Sequence, residues 1–169
     1  MKNKILIPIV VIIVIAAGIG GFLYYSGTES NGHMAISVAD APAVSGVGAV
    51  YITFTSVELH SNASGWVNYS VPTTTINILG LTISNASLLT NITLHPGKYT
   101  MIRLFIKSVT VNVLGVNVSF TLASKFAFIN HHFNVSLHST TKVIIDFNLN
   151  QNLNLNSKIF TPDVGVVVD

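Results

Sequence analysis

A run of 24 residues without a charge, between Lys4 and Glu29, is the strongest constraint on this chain. Its core, residues 5–25, would extend about 31 Å as a helix at about 1.5 Å per residue, close to the hydrocarbon thickness of a bilayer. A single segment in lipid can satisfy its backbone hydrogen bonds only as a helix. We therefore expect a transmembrane helix or signal anchor over residues 5–25, in contact with the lipid bilayer.

The charges that flank this run predict its orientation. Lys2 and Lys4 precede it, and Glu29 is the first charge after it. Because lysines beside a membrane segment stay on the cytoplasmic side, we expect residues 1–4 in the cytoplasm and a single pass through the cell membrane. Beyond it we expect a linker over residues 26–33 and one extracytoplasmic domain over residues 34–169.

The same run also fits a cleaved signal peptide, which has a basic start followed by an apolar stretch. It is long for a signal peptide, but Gly18, Gly20 and Gly21 offer small residues for cleavage. Cleavage would release the protein as a secreted one. We favour the retained anchor, and both interpretations place residues 30–169 outside the cytoplasm.

Composition excludes several classes of function. From residue 30 onward there are six Lys or Arg and five Asp or Glu, so no basic face is available for nucleic acid. The chain has no cysteine, which removes thiol catalysis, cysteine-bound zinc and iron–sulfur clusters. Solubility must instead come from neutral polar groups, which keep working in acid where carboxylates are protonated. We therefore expect an acid-living and thermophilic host.

Six asparagines lie in N-x-S/T sequences with no proline at x, which are acceptor sequences for N-glycosylation. On an outward domain with few charges, glycans would hydrate the surface that ions do not. We predict glycosylation at some or all of these positions, which are Asn62, Asn68, Asn85, Asn91, Asn117 and Asn134.

Period-two alternation of apolar and polar residues runs through the outer domain and predicts eight or nine strands. The cleanest buried face is Val143, Ile145, Phe147 and Leu149. Residues 80–96 are predicted to be a loop with one helical turn near 87–90. The pattern predicts an all-β fold, an antiparallel two-sheet sandwich that is Ig-like or prealbumin-like. The predicted strands are residues 34–39, 47–60, 66–71, 74–79, 99–115, 116–122, 133–137, 143–149 and 164–168.

An ordered string of sequence features resembles a known family. The features are ISVADAP at 36–42, VYITFTSVELH at 50–60 with GW at 65–66, INILGL at 76–81, LLTNITLHPGKYTMIRLFI at 88–106 and KVIIDFNL at 142–149. They resemble the domain of unknown function 4382 family of bacterial and archaeal surface proteins. The resemblance implies an anchored extracytoplasmic β-sandwich and supplies no activity or catalytic residue. This chain departs from the family in its lack of a cysteine for a lipid anchor and in its many N-x-S/T sequences.

No residue pattern indicates catalysis or metal binding. Adjacent histidines on a strand point to opposite faces, so His131 and His132 are not expected to chelate a metal together. No nucleophile motif and no phosphate-binding loop is present. We expect no enzyme activity, no cofactor and no metal site. The remaining histidines are His33, His60, His95 and His138.

Three carboxylates have alternative interpretations. Asp40 precedes Ala-Pro, where it fits a turn, and Asp146 alternates outward. Either one could instead pair with Lys98 or Lys142. Glu58 is expected on the solvent face of its strand, the alternative being a buried carboxylate that promotes an isopeptide crosslink.

The functional hypothesis that follows is a membrane-anchored, glycosylated cell-surface sandwich with a structural, adhesive or interaction role. Its partners would be cell-envelope proteins or copies of itself. One alternative is a surface-filament subunit assembled by strand donation, with residues 34–39 as the donated strand. Another is an envelope protein that binds carbohydrate or metal, in which Tyr51, Trp66 and Tyr69 would stack on a sugar.

Overall fold

The structure is a computed structural model that describes residues 31–40 and 44–169. β-branched and aromatic residues alternate with polar ones through this part of the chain, and they form strands. A 3-10 turn at Ile83–Asn85 and a helical turn at Leu149–Asn152 are the helical elements of the described residues. The strands are β1 Gly32–Asp40, β2 Val47–Ser61, β3 Gly65–Asn77, β4 Ser87–Leu94, β5 Gly97–Val113, β6 Val116–Leu122, β7 Phe126–Val135, β8 Thr140–Phe147, β9 Leu153–Asn154, β10 Ile159–Phe160 and β11 Val164–Val168.

The strands form two sheets. The small sheet has four strands in the order β11-β8-β1-β4. The large sheet has seven strands, six of them in the order β3-β2-β5-β6-β10-β9. Its seventh strand, β7, pairs with the first half of β5, whose second half pairs with β6. The prediction of an all-β, two-sheet sandwich is therefore confirmed.

The core lies between the two sheets and is built from the predicted alternation. Val143, Ile145 and Phe147 of β8 are at most 1% exposed, which confirms that face of the pattern. The Phe147 ring reaches Phe54 of the large sheet, with centroids 6.1 Å apart, and Phe160 at 6.3 Å. Burial of these side chains holds the sheets together, because each large apolar group removed from water contributes about 1.5–3 kcal/mol.

The prediction that the sheets are wholly antiparallel is wrong at two places. β1 pairs with β8 in parallel, from His33 opposite Thr140 to Asp40 opposite Phe147. β10 also pairs with β6 in parallel. Alternation along one strand shows which face is buried, but it carries no information on the direction of the neighbouring strand. The parallel pair β1–β8 also joins segments about 100 residues apart, a separation typical of the long crossovers that parallel pairs require.

The predicted helical turn near residues 87–90 is wrong, because those residues begin β4. The register of β1 and β4 shifts between Ile36 and Ser37, so Leu89 has no opposing residue. Leu89, Ile92 and Leu94 point into the core, whereas Leu88 is exposed. The bulge thus separates the inward Leu89 and Ile92 by three positions along the chain, where a regular strand would separate them by two. The alternation of β4 is therefore not recognisable in the sequence, although the strand is regular on either side of the bulge.

Two other strands are longer than predicted. β3 is continuous through Pro72, where the sequence indicates a break. β3 is the edge strand of the large sheet, and a proline without an N–H is tolerated at an edge. β7 begins at Phe126, seven residues before the predicted strand.

The large sheet contains a line of irregular pairing across its middle. Between β2 and β5, Lys107 and Thr55 each lack an opposing residue. At the same level of β3, residues 71–73 lie opposite Thr55 alone. On the other side of β5, pairing with β7 stops at Phe105 and pairing with β6 starts at Val109. We call this level the bend.

The two ends of the sandwich differ. β1 starts at Gly32 beside the β7–β8 turn, where Asn31 accepts a hydrogen bond from the His138 N–H. The turn between β5 and β6 lies at the opposite end, about 55 Å away along β5 at about 3.3 Å per residue. Its residues Leu114 and Gly115 both have positive φ, as a two-residue hairpin turn requires, and Leu114 is 84% exposed. The chain thus enters the domain at the end away from this apolar turn.

The predicted membrane segment, residues 5–25, lies outside the described residues. Within residues 31–40 and 44–169, no helix is long and apolar enough to cross a bilayer. The donated-strand hypothesis concerns β1, which here lies between β4 and β8 of its own small sheet. A strand donated to another copy would leave that sheet without one of its two inner strands.

Candidate interaction surface

Large side chains gather on the outer face of the large sheet, on the chain-entry side of the bend. Cross-strand pairing builds the group from four strands, since Glu58 lies opposite Asn68 and Arg103, and Arg103 lies opposite Phe128. Two residues further along these strands, His60 of β2 lies opposite Trp66 of β3, and Phe105 of β5 lies opposite Phe126 of β7. We call Trp66, Arg103, Phe105, Phe126 and Phe128 the outer cluster.

Arg103 is the centre of the outer cluster. Its guanidinium carbon lies 3.9 Å from the centroid of the Trp66 ring and 5.3 Å from that of Phe126. Nη1 donates a hydrogen bond of 3.2 Å to Glu58 Oε2. The planar cation is held between an aromatic face and a carboxylate, which fixes its orientation.

The aromatic rings around Arg103 form two pairs. Trp66 and Phe128 are 6.4 Å apart between centroids, and Phe105 and Phe126 are 5.6 Å apart. Phe128 remains 45% exposed, while the other three rings are half-buried. Trp, Phe and Arg are the residue types enriched at protein interfaces, where they provide apolar area and directional contacts together. The outer cluster therefore has the residue types of an interface centre, and its five side chains include no nucleophile.

Only one of the three aromatics proposed to stack on a sugar belongs to the outer cluster. Trp66 does, Tyr51 lies on the outer face beyond the bend, and Tyr69 lies on the same face of β3 as the inward Val67. Burial raises the pKa of the Tyr69 phenol. Phe126 and Phe128 were missed because their segment was not predicted to be a strand, although the F-A-F pattern around Ala127 is the signal that could have shown it.

The histidines do not come together. His131 and His132 lie where two residues of β7 oppose one residue of β5, and both are exposed. The expected alternation to opposite faces is therefore lost in a bulge. His60 Nδ1 lies 2.7 Å from Thr100 Oγ1, which gives that ring a structural partner. Within residues 31–40 and 44–169, no three His, Asp or Glu side chains are arranged to hold a metal.

The carboxylates Asp40 and Asp146 make no ion pair with Lys98 or Lys142. Asp40 is 4% exposed and accepts hydrogen bonds from the backbone N–H of Gly80, at 3.3 Å, and of Leu149, at 3.4 Å. Burial raises the pKa of Asp40 to about 6, against the lowering effect of these two bonds. Burial also raises the pKa of Asp146. Asp40 thus joins three segments of the chain through long-range hydrogen bonds. The turn expected after it, at residues 41–42, lies outside the described residues.

All six acceptor asparagines lie at exposed positions. Asn68, Asn91, Asn117 and Asn134 lie on strands, Asn62 in the β2–β3 turn and Asn85 in the 3-10 turn. Exposure is what attachment of a glycan requires, and occupancy itself stays a prediction. Asn68 lies at the edge of the outer cluster, opposite Glu58.

Comparison with known protein families gives a match. A family model described as domain of unknown function (DUF4382) matches residues 31–162, a range that includes every strand from β1 to β10. The resemblance seen in the sequence is thereby confirmed. No curated protein and no solved structure matches the chain, so an Ig-like or prealbumin-like assignment stays a prediction.

Proposed function

This chain belongs to the family of domain of unknown function 4382, and on that premise we propose that it is a membrane-anchored, glycosylated cell-surface sandwich that makes adhesive contacts through its outer cluster. The partner is a protein of the cell envelope, which includes a second copy of this chain. The role is interaction, not catalysis.

The outer cluster is the observation that carries this proposal. A sandwich needs its large aromatic side chains inside, and Phe54, Phe147 and Phe160 are fully buried there. Phe128 and Trp66 lie on the opposite face of the large sheet, where they do not contribute to the core. A group of aromatic rings around an arginine, one ring exposed and three half-buried, has the composition of an interface centre.

The distribution of polar groups supports an outward location. The described domain has few charges, and its six exposed acceptor asparagines are spread over both sheets and two turns. Glycans at these positions would keep most of the surface hydrated. Contact with a partner would then be concentrated on the outer cluster.

Binding to the envelope tests the interaction role. We would measure retention of the full chain, purified in detergent, on isolated host envelopes, and its self-association by analytical ultracentrifugation. Trp66→Ala with Phe128→Ala is expected to weaken the contact about tenfold or more, as loss of interface-centre aromatics does. The matched control is Leu88→Ala with Leu137→Ala, which removes two exposed apolar side chains away from the cluster. Equal retention of both double variants would overturn the assignment.

Location and glycosylation need a separate measurement. Protease added to intact cells is expected to remove residues 31–169 while leaving the membrane segment cell-associated. Mass spectrometry of the native protein is expected to show glycans at some of the six asparagines and an uncleaved N-terminus. Recovery of an unglycosylated chain from the cytosol would refute the surface role, whatever the outer cluster binds.

A further inference from the structure

A cleft opens at the bend of the large sheet, beside the outer cluster. Its volume is about 600 Å³. It forms where β5 changes partners, since β7 ends its pairing at Phe105 and β6 begins its pairing at Val109. The backbone between them makes a single contact across the gap, from the Ile106 N–H to the Lys125 carbonyl at 2.8 Å.

The irregular residues of the bend line this cleft. At the level of the bend, Lys107 and Thr55 lack an opposing residue between β2 and β5, and both contribute to the wall. Because Lys107 interrupts the alternation, Lys107 and Ser108 are exposed one after the other between buried Ile106 and Val109. Bulges are frequent beside binding sites, because they redirect side chains that a regular strand would space apart.

The polar wall of the cleft has a positive charge. Lys107 and Lys125 lie on it, and no Asp or Glu contributes to the lining. Neither lysine lies within 4.0 Å of a carboxylate oxygen of the described residues. Two of the six cations that follow residue 30 thus share one cleft without an acidic neighbour, on a surface where few other charges offset them.

We propose that this cleft binds an acidic saccharide, a sugar that carries carboxylate or sulfate groups. Lys107 and Lys125 would bind the anionic groups, and the hydroxyls of Thr55, Ser108 and Ser119 would exchange hydrogen bonds with sugar hydroxyls. Phe105 supplies an apolar wall for a sugar face. A volume of about 600 Å³ falls in the range of small-molecule sites, about 300–1,000 Å³, and exceeds what one inorganic anion fills.

Calorimetry on the full chain in nonionic detergent tests this site. The probes are trigalacturonate, a sulfated disaccharide, the neutral methyl ester of trigalacturonate, and inorganic sulfate. Binding of either acidic saccharide, weakened by added salt, is the expected result, with no binding of the methyl ester. Lys107→Gln with Lys125→Gln is expected to weaken binding about tenfold or more, as loss of charge-assisted hydrogen bonds does.

Two matched variants separate the site from general charge effects. Lys98→Gln with Lys142→Gln removes the same charge elsewhere and is expected to leave affinity unchanged, while Lys107→Arg with Lys125→Arg restores it. Equal loss in both glutamine variants, equal affinity for inorganic sulfate, or no binding of either acidic saccharide would overturn the proposal. The site does not depend on the envelope contact, so Trp66→Ala with Phe128→Ala should leave saccharide binding intact.

Discussion

The two sheets of this domain use their outer faces differently. The small sheet contains one aromatic residue, Phe147, and that side chain is buried. Short or aliphatic side chains such as Ala35, Ser37 and Ile144 occupy its outer face. The outer cluster places an arginine and four aromatic rings on the outer face of the large sheet, and the pairing of this sheet is interrupted along the bend. The small sheet thus contributes mainly to stability, while the large sheet carries both of the surfaces that we propose for recognition.

Phe147→Ala should produce the largest effect on stability. The side chain is fully buried between Phe54 and Phe160, so its removal leaves a cavity between the sheets. We expect a loss of about 3–5 kcal/mol in the free energy of unfolding, measured by denaturant titration. Phe128→Ala, on the outer face, should cost less than about 1 kcal/mol. Similar losses for both would show that the outer ring is part of the core after all.

Gly32→Ala tests the close approach between the start of β1 in the small sheet and the β7–β8 turn. A Cβ at this position would overlap the Ser136 carbonyl oxygen, which is backbone and cannot rotate away. We expect a destabilisation of about 1–3 kcal/mol by denaturant titration. Gly165→Ala is the control, because its Cβ would meet its nearest atom at 3.9 Å. A destabilisation by Gly165→Ala as large as that by Gly32→Ala would argue against the close approach.

Stability should rise as pH falls from 7 to 4. Burial raises the folded-state pKa of Asp40 to about 6, above its ordinary 3.8, so the ionised carboxylate destabilises the native state at neutral pH. Protonation in the folded state removes this cost, and the gain of about 1–3 kcal/mol is complete below the ordinary pKa. Thermal unfolding measured against pH should show the rise.

Asp40→Asn should flatten this profile, because amide and carboxylate have a similar size and only the carboxylate titrates. The pKa of Asp146 is raised by burial in the same direction, so a smaller slope should remain until Asp146→Asn is added. A stability that decreases as pH is lowered from 7 to 4 would contradict the predicted direction of the effect. A stability that increases in acid would also agree with the acid-living host predicted from composition.

Arg103→Lys should give the smallest change in stability and a clear spectroscopic one. Lysine keeps the charge near Glu58 but loses the planar contact with Trp66, worth about 0.5–1 kcal/mol. Trp66 is the single tryptophan of the chain, so its fluorescence reports on the outer cluster directly. We expect a shifted emission maximum for Arg103→Lys and none for Lys142→Arg. An unchanged spectrum would show that the guanidinium does not stack on the indole in solution.

Much of the fold could be predicted from the sequence, because alternation is a local property. The burial of Val143, Ile145 and Phe147, the long strand β2 and the final strand β11 all follow from neighbouring residues. The failures lie where a bulge breaks the period, as at Leu89, or where a proline at an edge suggests a break, as at Pro72. Local rules cannot anticipate a bulge, since it is defined by the partner strand.

By itself the sequence determined the scarcity of charge, the predicted membrane segment, the acceptor asparagines and the inward faces of most strands. The tertiary structure decided which strands pair, and with them the parallel pair β1–β8, the outer cluster and the cleft. Trp66, Arg103 and Phe128 come from three strands and meet only because β2, β3, β5 and β7 are adjacent. Side-chain alternation is fixed over two residues of backbone, whereas pairing depends on the packing of segments far apart in the chain.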